Sequence, residues 1–409
     1  MKGNITKKQN ITKTREVLSQ YRGDYSLCNK CKICKGNNVH EVDHARFFLN
    51  CPSGSVFQFE SYFASGRLEM ARALSLGEIK PTEQFKHALY TCMECGSCQE
   101  HCYSVKQIWP LRVIELLREK AVADGWGLLP EHAPILKNLE EKDNFLGKPQ
   151  ADRDKLIAKL GVKDANKEKC KVLLFIGCQY SYKPEMKKVL ESAVRLLKKA
   201  GADVGILGSQ ELCCGAPLLE LGDRDFFEAF ASENINRINA TGAKTIISLC
   251  SHCASMLTEE YASFMDAKPQ HITEFVSEAL AKGKLKATKS LKGTVTWHDP
   301  CRLGRRLKVY DAPRNVLDAI PGLTRVEMPR SGHNTLCCGG GGMAAQAYPE
   351  FGKTVAKERI FEAEFTKADT IVTACPWCEE MLLSGVDGRK SKMKVENILT
   401  LLDESVGGK

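Results

Sequence analysis

The sequence LCCGAP at residues 212–217 returns in a related form as LCCGGGGM at residues 336–343. Each copy places a glycine directly after two adjacent cysteines. The first cysteines of the two pairs, Cys213 and Cys337, lie 124 positions apart. Two such rare motifs predict a repeated unit that uses neighbouring thiols in both of its copies.

Single cysteines around these pairs repeat with nearly the same offset. Cys301 follows Cys178 by 123 positions, and Cys375 follows Cys250 by 125 positions. Each of these four cysteines comes at or shortly after the end of a short apolar segment of the kind that forms a buried parallel strand. An offset this constant indicates an internal duplication.

Ligands of open parallel sheets bind at the carboxyl ends of the strands, which is where these cysteines fall. We therefore predict a duplicated α/β domain at residues 166–409, with repeats at about 170–285 and 292–409. Each repeat should bring five thiols together: Cys178, Cys213, Cys214, Cys250 and Cys253 in the first, and Cys301, Cys337, Cys338, Cys375 and Cys378 in the second.

The adjacent cysteines are unsuited to disulfide bonds with each other. Consecutive Cα atoms are about 3.8 Å apart, below the ~4.4 Å minimum of an unstrained bridge. Five thiolates also exceed the four that a tetrahedral zinc ion or an ordinary iron–sulfur cube needs. Adjacent thiolates can instead hold neighbouring irons of one unusual cluster.

A second kind of cysteine motif lies nearer the N-terminus. CMECGSCQEHC at residues 92–102 has the bacterial ferredoxin spacing, in which the fourth cysteine serves another [4Fe-4S] cube. Part of the motif recurs at residues 28–34, and Cys51 supplies an eighth thiol, although the interval before it is expanded and Tyr103 replaces the usual proline. Zinc remains an alternative at either site. The predicted cubane sets are Cys28, Cys31, Cys34 and Cys102, and Cys92, Cys95, Cys98 and Cys51.

A segment rich in glycine, proline and charge at residues 124–169 is typical of a connection between domains. We place the domain boundary near residue 165. The predicted fold class is a multidomain α+β protein, in which a helical ferredoxin-like domain with two [4Fe-4S] clusters at residues 1–165 precedes the duplicated α/β domain.

The composition excludes several classes of protein. Nineteen cysteines in a chain of 409 residues, with no export signal recognisable at the N-terminus, favour metal binding in the cytoplasm over a secreted disulfide framework. No apolar run approaches the ~20 residues of a membrane helix, so direct insertion into a membrane is not expected. The net charge of +9 lies largely on solvated helix faces, so we expect no nucleic-acid partner.

Residues near Cys301 are candidates for other roles. His298 could donate a proton to a departing thiolate, although we favour the interpretation that His298 and Asp299 fix the loop. The glycines at 339–342 follow a cysteine pair rather than a strand, which favours a backbone turn over a nucleotide site. We expect a solvated basic patch, rather than a site for an anionic substrate tail or an acidic partner, at Arg302, Arg305, Arg306 and Lys308.

The whole arrangement resembles the D-type subunit of heterodisulfide reductase, which is itself similar to the C-type and B-type subunits joined in one chain. NCPSGSVFQFESY at residues 50–62, WHDPCRLGR at 297–305 and LCCGGGG at 336–342 strengthen the resemblance. It implies that each complete five-cysteine CCG repeat binds a non-cubane [4Fe-4S] cluster and that a disulfide, such as that of coenzymes M and B, is split between the two. The implied cofactors are thus four [4Fe-4S] clusters, two cubane and two non-cubane.

Two functions remain open. In the first, which complete cysteine sets in both repeats favour, the chain is a catalytic subunit that reduces a disulfide substrate. In the second, it is an electron relay, such as the iron–sulfur subunit of a D-lactate, glycolate or glycerol-3-phosphate dehydrogenase or of another respiratory complex. Either function requires a redox partner, a membrane cytochrome b or a flavoprotein, because no flavin or haem motif is evident here. Such a partner could hold the cytoplasmic chain against the inner face of the membrane.

Overall fold

The structure, a computed structural model, describes residues 16–37, 40–42 and 44–407. The part before the first sheet is helical and comprises α1 (Arg22–Ser26), α2 (Pro52–Phe57), α3 (Ala64–Ser75), α4 (Glu83–Tyr90), α5 (Ser97–Lys106), α6 (Pro110–Ala123), α7 (Ala133–Lys142) and α8 (Asp154–Leu160). Helices α3 and α6 pack together, and α1 contacts both. Pro110 starts α6, where its missing N–H removes no helical hydrogen bond. No helix within the described ranges is long and apolar enough to cross a membrane.

The first α/β unit has a parallel sheet whose strand order is β1-β3-β2-β4-β5. Buried apolar residues fill the central strands, as a sheet covered on both faces requires. The strands are β1 (Lys163–Asp164), β2 (Val172–Phe175), β3 (Val204–Ile206), β4 (Thr245–Ser248) and β5 (Lys268–His271). The helices are α9 (Cys178–Tyr182), α10 (Lys187–Lys199), α11 (Ala216–Leu221), α12 (Arg224–Ala240), α13 (Ser251–Met256) and α14 (Ile272–Ala281).

The second α/β unit repeats this topology, with the parallel order β7-β6-β8-β9. Apart from the additional edge strand β1, the order is that of the first unit. The strands are β6 (Gly293–Trp297), β7 (Leu323–Val326), β8 (Thr370–Thr373) and β9 (Lys394–Asn397). The helices are α15 (Asp311–Asp318), α16 (Ala344–Ala347), α17 (Pro349–Phe365), α18 (Pro376–Arg389) and α19 (Ile398–Ser405).

The two units pack reciprocally. Helix α10 of the first contacts α19 of the second, while α15 of the second contacts α14 of the first. Likewise α13 contacts the π-helical turn at residues 302–306, and α18 contacts α9. Such an exchange of equivalent elements is the pattern of an approximate two-fold axis, and it brings the carboxyl ends of both sheets to one interface.

The connecting segment belongs structurally to the first α/β unit. Strand β1, which lies just before the boundary that the composition predicts, pairs with β3. Arg153, almost fully buried, forms an ion pair with Glu211 and donates a hydrogen bond to the Tyr182 hydroxyl at 3.0 Å. Glu211 in turn accepts hydrogen bonds from the backbone N–H groups of Ile176 and Gly177. The segment thereby braces the loop that leads to Cys178.

A glycine loop joins the second α/β unit to the helical region. A Cβ atom at Gly341 would overlap the carbonyl oxygen of Met93, and one at Gly342 would overlap that of Cys92. Both approaches are closer than a carbon–oxygen contact allows. Glycine is therefore required where this loop meets the cysteine motif of the helical region.

We expect Gly341→Ala to lower the free energy of unfolding by about 1–3 kcal/mol, since the new methyl group forces two backbones apart. Urea unfolding of the metal-loaded protein, followed by circular dichroism, measures the change. Gly23→Ala is the matched control, because a Cβ atom there meets nothing within 4 Å. Equal midpoints for the two variants would show that the glycine loop does not hold the domains together.

Candidate metal centres

The five thiols of the first repeat surround one cavity of about 30 Å³. Cys178 begins α9 directly after the first buried strand, and Cys250 caps the N-terminus of α13, whose first turn carries Cys253. Cys213 and Cys214 reach the same cavity from the loop before α11. The sheet edge therefore brings together all five cysteines that the sequence assigns to this repeat.

The five thiols of the second repeat form an equivalent, fully buried group. The Cys337 thiol contacts those of Cys301 and Cys338. The Cys378 thiol contacts those of Cys338 and Cys375. All five predicted members are thus connected by sulfur–sulfur contacts, again at the carboxyl ends of parallel strands.

The second cysteine of each adjacent pair has the character of a thiolate. Hydrogen bonds from Cys213 and Cys253 lower the pKa of Cys214 to about 6. Hydrogen bonds from Cys337 and Cys378 likewise lower the pKa of Cys338 to about 5. The thiolate is the form of cysteine that binds metals, and ten cysteines in two such groups suit iron–sulfur chemistry.

Two groups of four thiols lie in the helical region, and each lines one cavity. Helix α5 contributes to both, since Cys98 and Cys102 lie one turn apart on it. The first cavity, of about 10 Å³, is lined by Cys28, Cys31, Cys34 and Cys102. The second, of about 20 Å³, is lined by Cys51, Cys92, Cys95 and Cys98. Four thiolates around one small cavity fit an iron–sulfur cube, and the fourth cysteine is exchanged between the motifs as the ferredoxin spacing predicts.

Neighbouring thiol groups are linked in space by contacts between the parts of the protein that hold them. Cys31, in the first group, is exposed to solvent. The second group adjoins the second α/β repeat, where Arg305 donates a hydrogen bond at 3.1 Å to the carbonyl oxygen of Cys95. The two repeats then meet where the Cys375 and Cys250 thiols lie within 4.8 Å of each other. These contacts connect the second group of four thiols to the second repeat, and the second repeat to the first.

The meeting point of the repeats is asymmetric in chemistry. His252, two residues after Cys250, has its Nδ1 atom 3.9 Å from the Cys375 sulfur and its Nε2 atom 3.4 Å from Glu220. Trp377 occupies the equivalent place after Cys375, and the two rings are tilted by 50° with their centroids 5.9 Å apart. His252 was missed by the sequence interpretation, although its position inside a C-x2-C motif was a sign of its proximity to both groups.

His298 lies beside the second group, with a ring nitrogen near the Cys338 and Cys378 sulfurs. Its Nδ1 atom accepts a hydrogen bond of 3.0 Å from Arg359. Burial, reinforced by the Arg359 charge, lowers the pKa of His298 to about 3. Asp299 is held by an ion pair with Arg314 at 2.8 Å. The proton-donor role of His298 stays a prediction.

The prediction of a solvated basic patch is wrong for Arg302 and Arg305. Arg302 and Arg305 are almost fully buried. Arg302 forms ion pairs with Glu220 and Glu94, and Arg305 donates hydrogen bonds to backbone carbonyl oxygens, including that of His333 at 2.8 Å. The sequence pattern could not show this, because the carboxylates that compensate Arg302 lie far away in the chain.

Comparisons with known proteins agree with this architecture. The model of the cysteine-rich CCG domain family matches residues 172–258 and 295–383, one match in each repeat. The D-type subunit of the dihydromethanophenazine:CoB–CoM heterodisulfide reductase of Methanosarcina acetivorans is 31% identical, over 98% of this chain and 99% of the relative. The chain belongs to the family of D-type heterodisulfide reductase subunits.

Membership in this family makes the chain an iron–sulfur oxidoreductase. The corresponding D-type protein of Methanosarcina mazei is 32% identical over 80% of each chain. Similarity also extends to the EtfAB:quinone oxidoreductase of Syntrophomonas wolfei, which is 31% identical over 80% of this chain and 48% of the relative. The D-type relatives are named as parts of larger enzymes, so the family works with partner subunits.

Proposed function

We propose that the chain is the catalytic subunit of a heterodisulfide reductase-like enzyme, which passes electrons through two [4Fe-4S] cubanes to two non-cubane [4Fe-4S] clusters and reduces a disulfide. The four thiol groups would hold these clusters in the sets described above. The observation that carries the proposal is that two complete five-cysteine groups lie side by side, with the Cys250 thiol of one next to the Cys375 thiol of the other. An electron relay would need one connected path but not two matched terminal sites.

The order of the thiol groups supports the direction of electron flow. The group that includes exposed Cys31 is the natural entry point for electrons from a partner subunit, either a membrane cytochrome b or a flavoprotein. Such a partner would place the chain in the cytoplasm or at the inner face of the membrane. The second group leads inward through the contact of Cys95 with Arg305.

The reaction consumes two electrons and two protons: one S–S bond breaks, and two thiols form. The electrons come from the partner and the protons from solvent. Each repeat supplies one five-cysteine group, so that one group is available for each sulfur atom of the substrate. The disulfide of coenzymes M and B is the first candidate, because the D-type relatives are named for it.

The assay that tests this function offers purified protein a reduced dye and a series of disulfides, with the disulfide of coenzymes M and B among them. Turnover of at least one disulfide, with stoichiometric release of two thiols, is the expected result. Oxidation of the dye by a quinone but by none of the disulfides would instead identify an electron relay.

We expect anaerobically purified protein to contain about sixteen iron atoms per chain, four in each of four clusters. Iron and acid-labile sulfide analysis measures the content, with zinc measured in the same samples. About eight irons together with stoichiometric zinc would contradict the assignment of clusters to the two repeats.

A further inference from the structure

Gln179 lines the cavity of the first five thiols without a hydrogen-bond partner. It follows Cys178 in the first turn of α9, and only 4% of its surface is exposed. Within the part of the chain that the structure describes, neither the nitrogen nor the oxygen of its side-chain amide has a partner. A polar group buried in this way is unfavourable, because it loses its hydrogen bonds to water without replacing them. Its partner is therefore expected among the atoms that fill the cavity.

The chemistry of the cavity limits what that partner can be. Besides Gln179, its walls consist of the five thiols, His252, Tyr180 and apolar groups that include Phe145 and Met343. The group that five thiolates hold presents sulfur atoms carrying negative charge, and such atoms accept hydrogen bonds from N–H donors. The amide N–H of Gln179 is the matching donor.

The equivalent position in the second repeat is chemically different. Arg302 follows Cys301 as Gln179 follows Cys178. The Arg302 guanidinium, however, is paired with the carboxylates of Glu220 and Glu94. The first repeat thus keeps a donor that has no partner among the residues described, whereas the second repeat directs its side chain to carboxylates outside the thiol group.

We propose that the side-chain amide of Gln179 donates a hydrogen bond to a sulfur anion of the group held by the first five cysteines, and so raises the reduction potential of that group. The inference rests on the proposed function for the presence of that group. A donor stabilises the more negative, reduced form, so its loss lowers the potential. A raised potential at the first repeat would favour electron transfer from the second repeat, whose Cys375 thiol lies within 4.8 Å of the Cys250 thiol.

Gln179→Met tests the hydrogen bond, because methionine has a similar length and no N–H. Potentiometric titration of the metal-loaded protein, followed by electron paramagnetic resonance, should show about a tenfold lower ratio of reduced to oxidised first-repeat site at a fixed potential. This ratio corresponds to ~59 mV for one electron. The signal of that site is the one that changes in Cys214→Ala. The matched control is Gln210→Met, where the side chain is exposed and no shift is expected.

The acceptor is identified by repeating the titration with thiol product. A shift without thiol supports the bound group as the acceptor, whereas a shift that appears only with thiol overturns the inference, because the acceptor is then a product sulfur. Gln179→Glu, which replaces the donor by a carboxylate, should lower the potential further and covers the case in which Gln179→Met does not fold. Unchanged potentials in protein with full iron content overturn the inference. A shift without disulfide turnover in any variant or parent supports the hydrogen bond and rejects the reductase function.

Discussion

Replacement of Cys214 or Cys338 by alanine is expected to abolish disulfide reduction. Each is the thiol with the lowered pKa in its adjacent pair, and each replacement removes one member of a five-thiol group. The two groups of four thiols in the helical region lie on other elements and should remain intact. Turnover with a reduced dye measures the loss, and electron paramagnetic resonance with and without thiol product shows which site has changed.

The matched control is Cys170→Ala. Cys170 is buried in the first α/β unit, where it lies beside Gly205 and belongs to neither five-thiol group, so the variant should keep its activity and iron content. A thiol-dependent signal that is present in the parent and lost in the Cys214 and Cys338 variants supports substrate chemistry at both repeats. Full turnover in both variants would refute it.

Arg118→Met is expected to lower the free energy of unfolding by about 3–5 kcal/mol, because it breaks a buried ion pair and leaves several buried carbonyl oxygens without their donor. Arg118 is fully buried, and its guanidinium lies 2.9 Å from Glu94. It also donates hydrogen bonds to the carbonyl oxygens of Cys92, Glu220 and Gly342, which belong to the helical region and to both repeats. Denaturant unfolding of the metal-loaded protein measures the effect.

Arg112→Met, on the same helix α6, is the comparison. Arg112 pairs with Glu16 at 2.7 Å but remains partly exposed, so water replaces the lost contacts and the expected cost is about 1 kcal/mol or less. A similar small cost for both variants would show that Arg118 does not join the three parts of the protein.

The cysteine groups could be predicted because their spacing reports directly on fold geometry. Parallel strands end at one edge, so cysteines that follow Phe175 and Ser248 must converge wherever those strands are neighbours. The compensation of Arg302 could not be predicted in this way, since Glu220 lies 82 positions away in the other repeat. A cluster of basic residues looks like a solvated patch in the sequence when the carboxylates that pair with it lie far away in the chain.

The domain boundary shows a similar limit of local patterns. Glycine, proline and charge predict a connection at residues 124–169. This pattern cannot reveal strand β1 within the connection, because a strand of two residues shows no periodicity. Arg153 illustrates the same point, since its ion pair with Glu211 depends on how the connection folds back. The role of the glycines at 341 and 342 also became apparent only from the approach of Cys92 and Met93.

The interface between the repeats also constrains how the protein matures. All ten thiols of the two five-cysteine groups are buried, and the first group encloses only about 30 Å³. Under the proposed function, a cluster would have to reach thiols that the packed interface covers. We therefore expect cofactor delivery to precede the packing of α10 on α19 and of α14 on α15. On this view, the two repeats pack together only after the cofactor has bound.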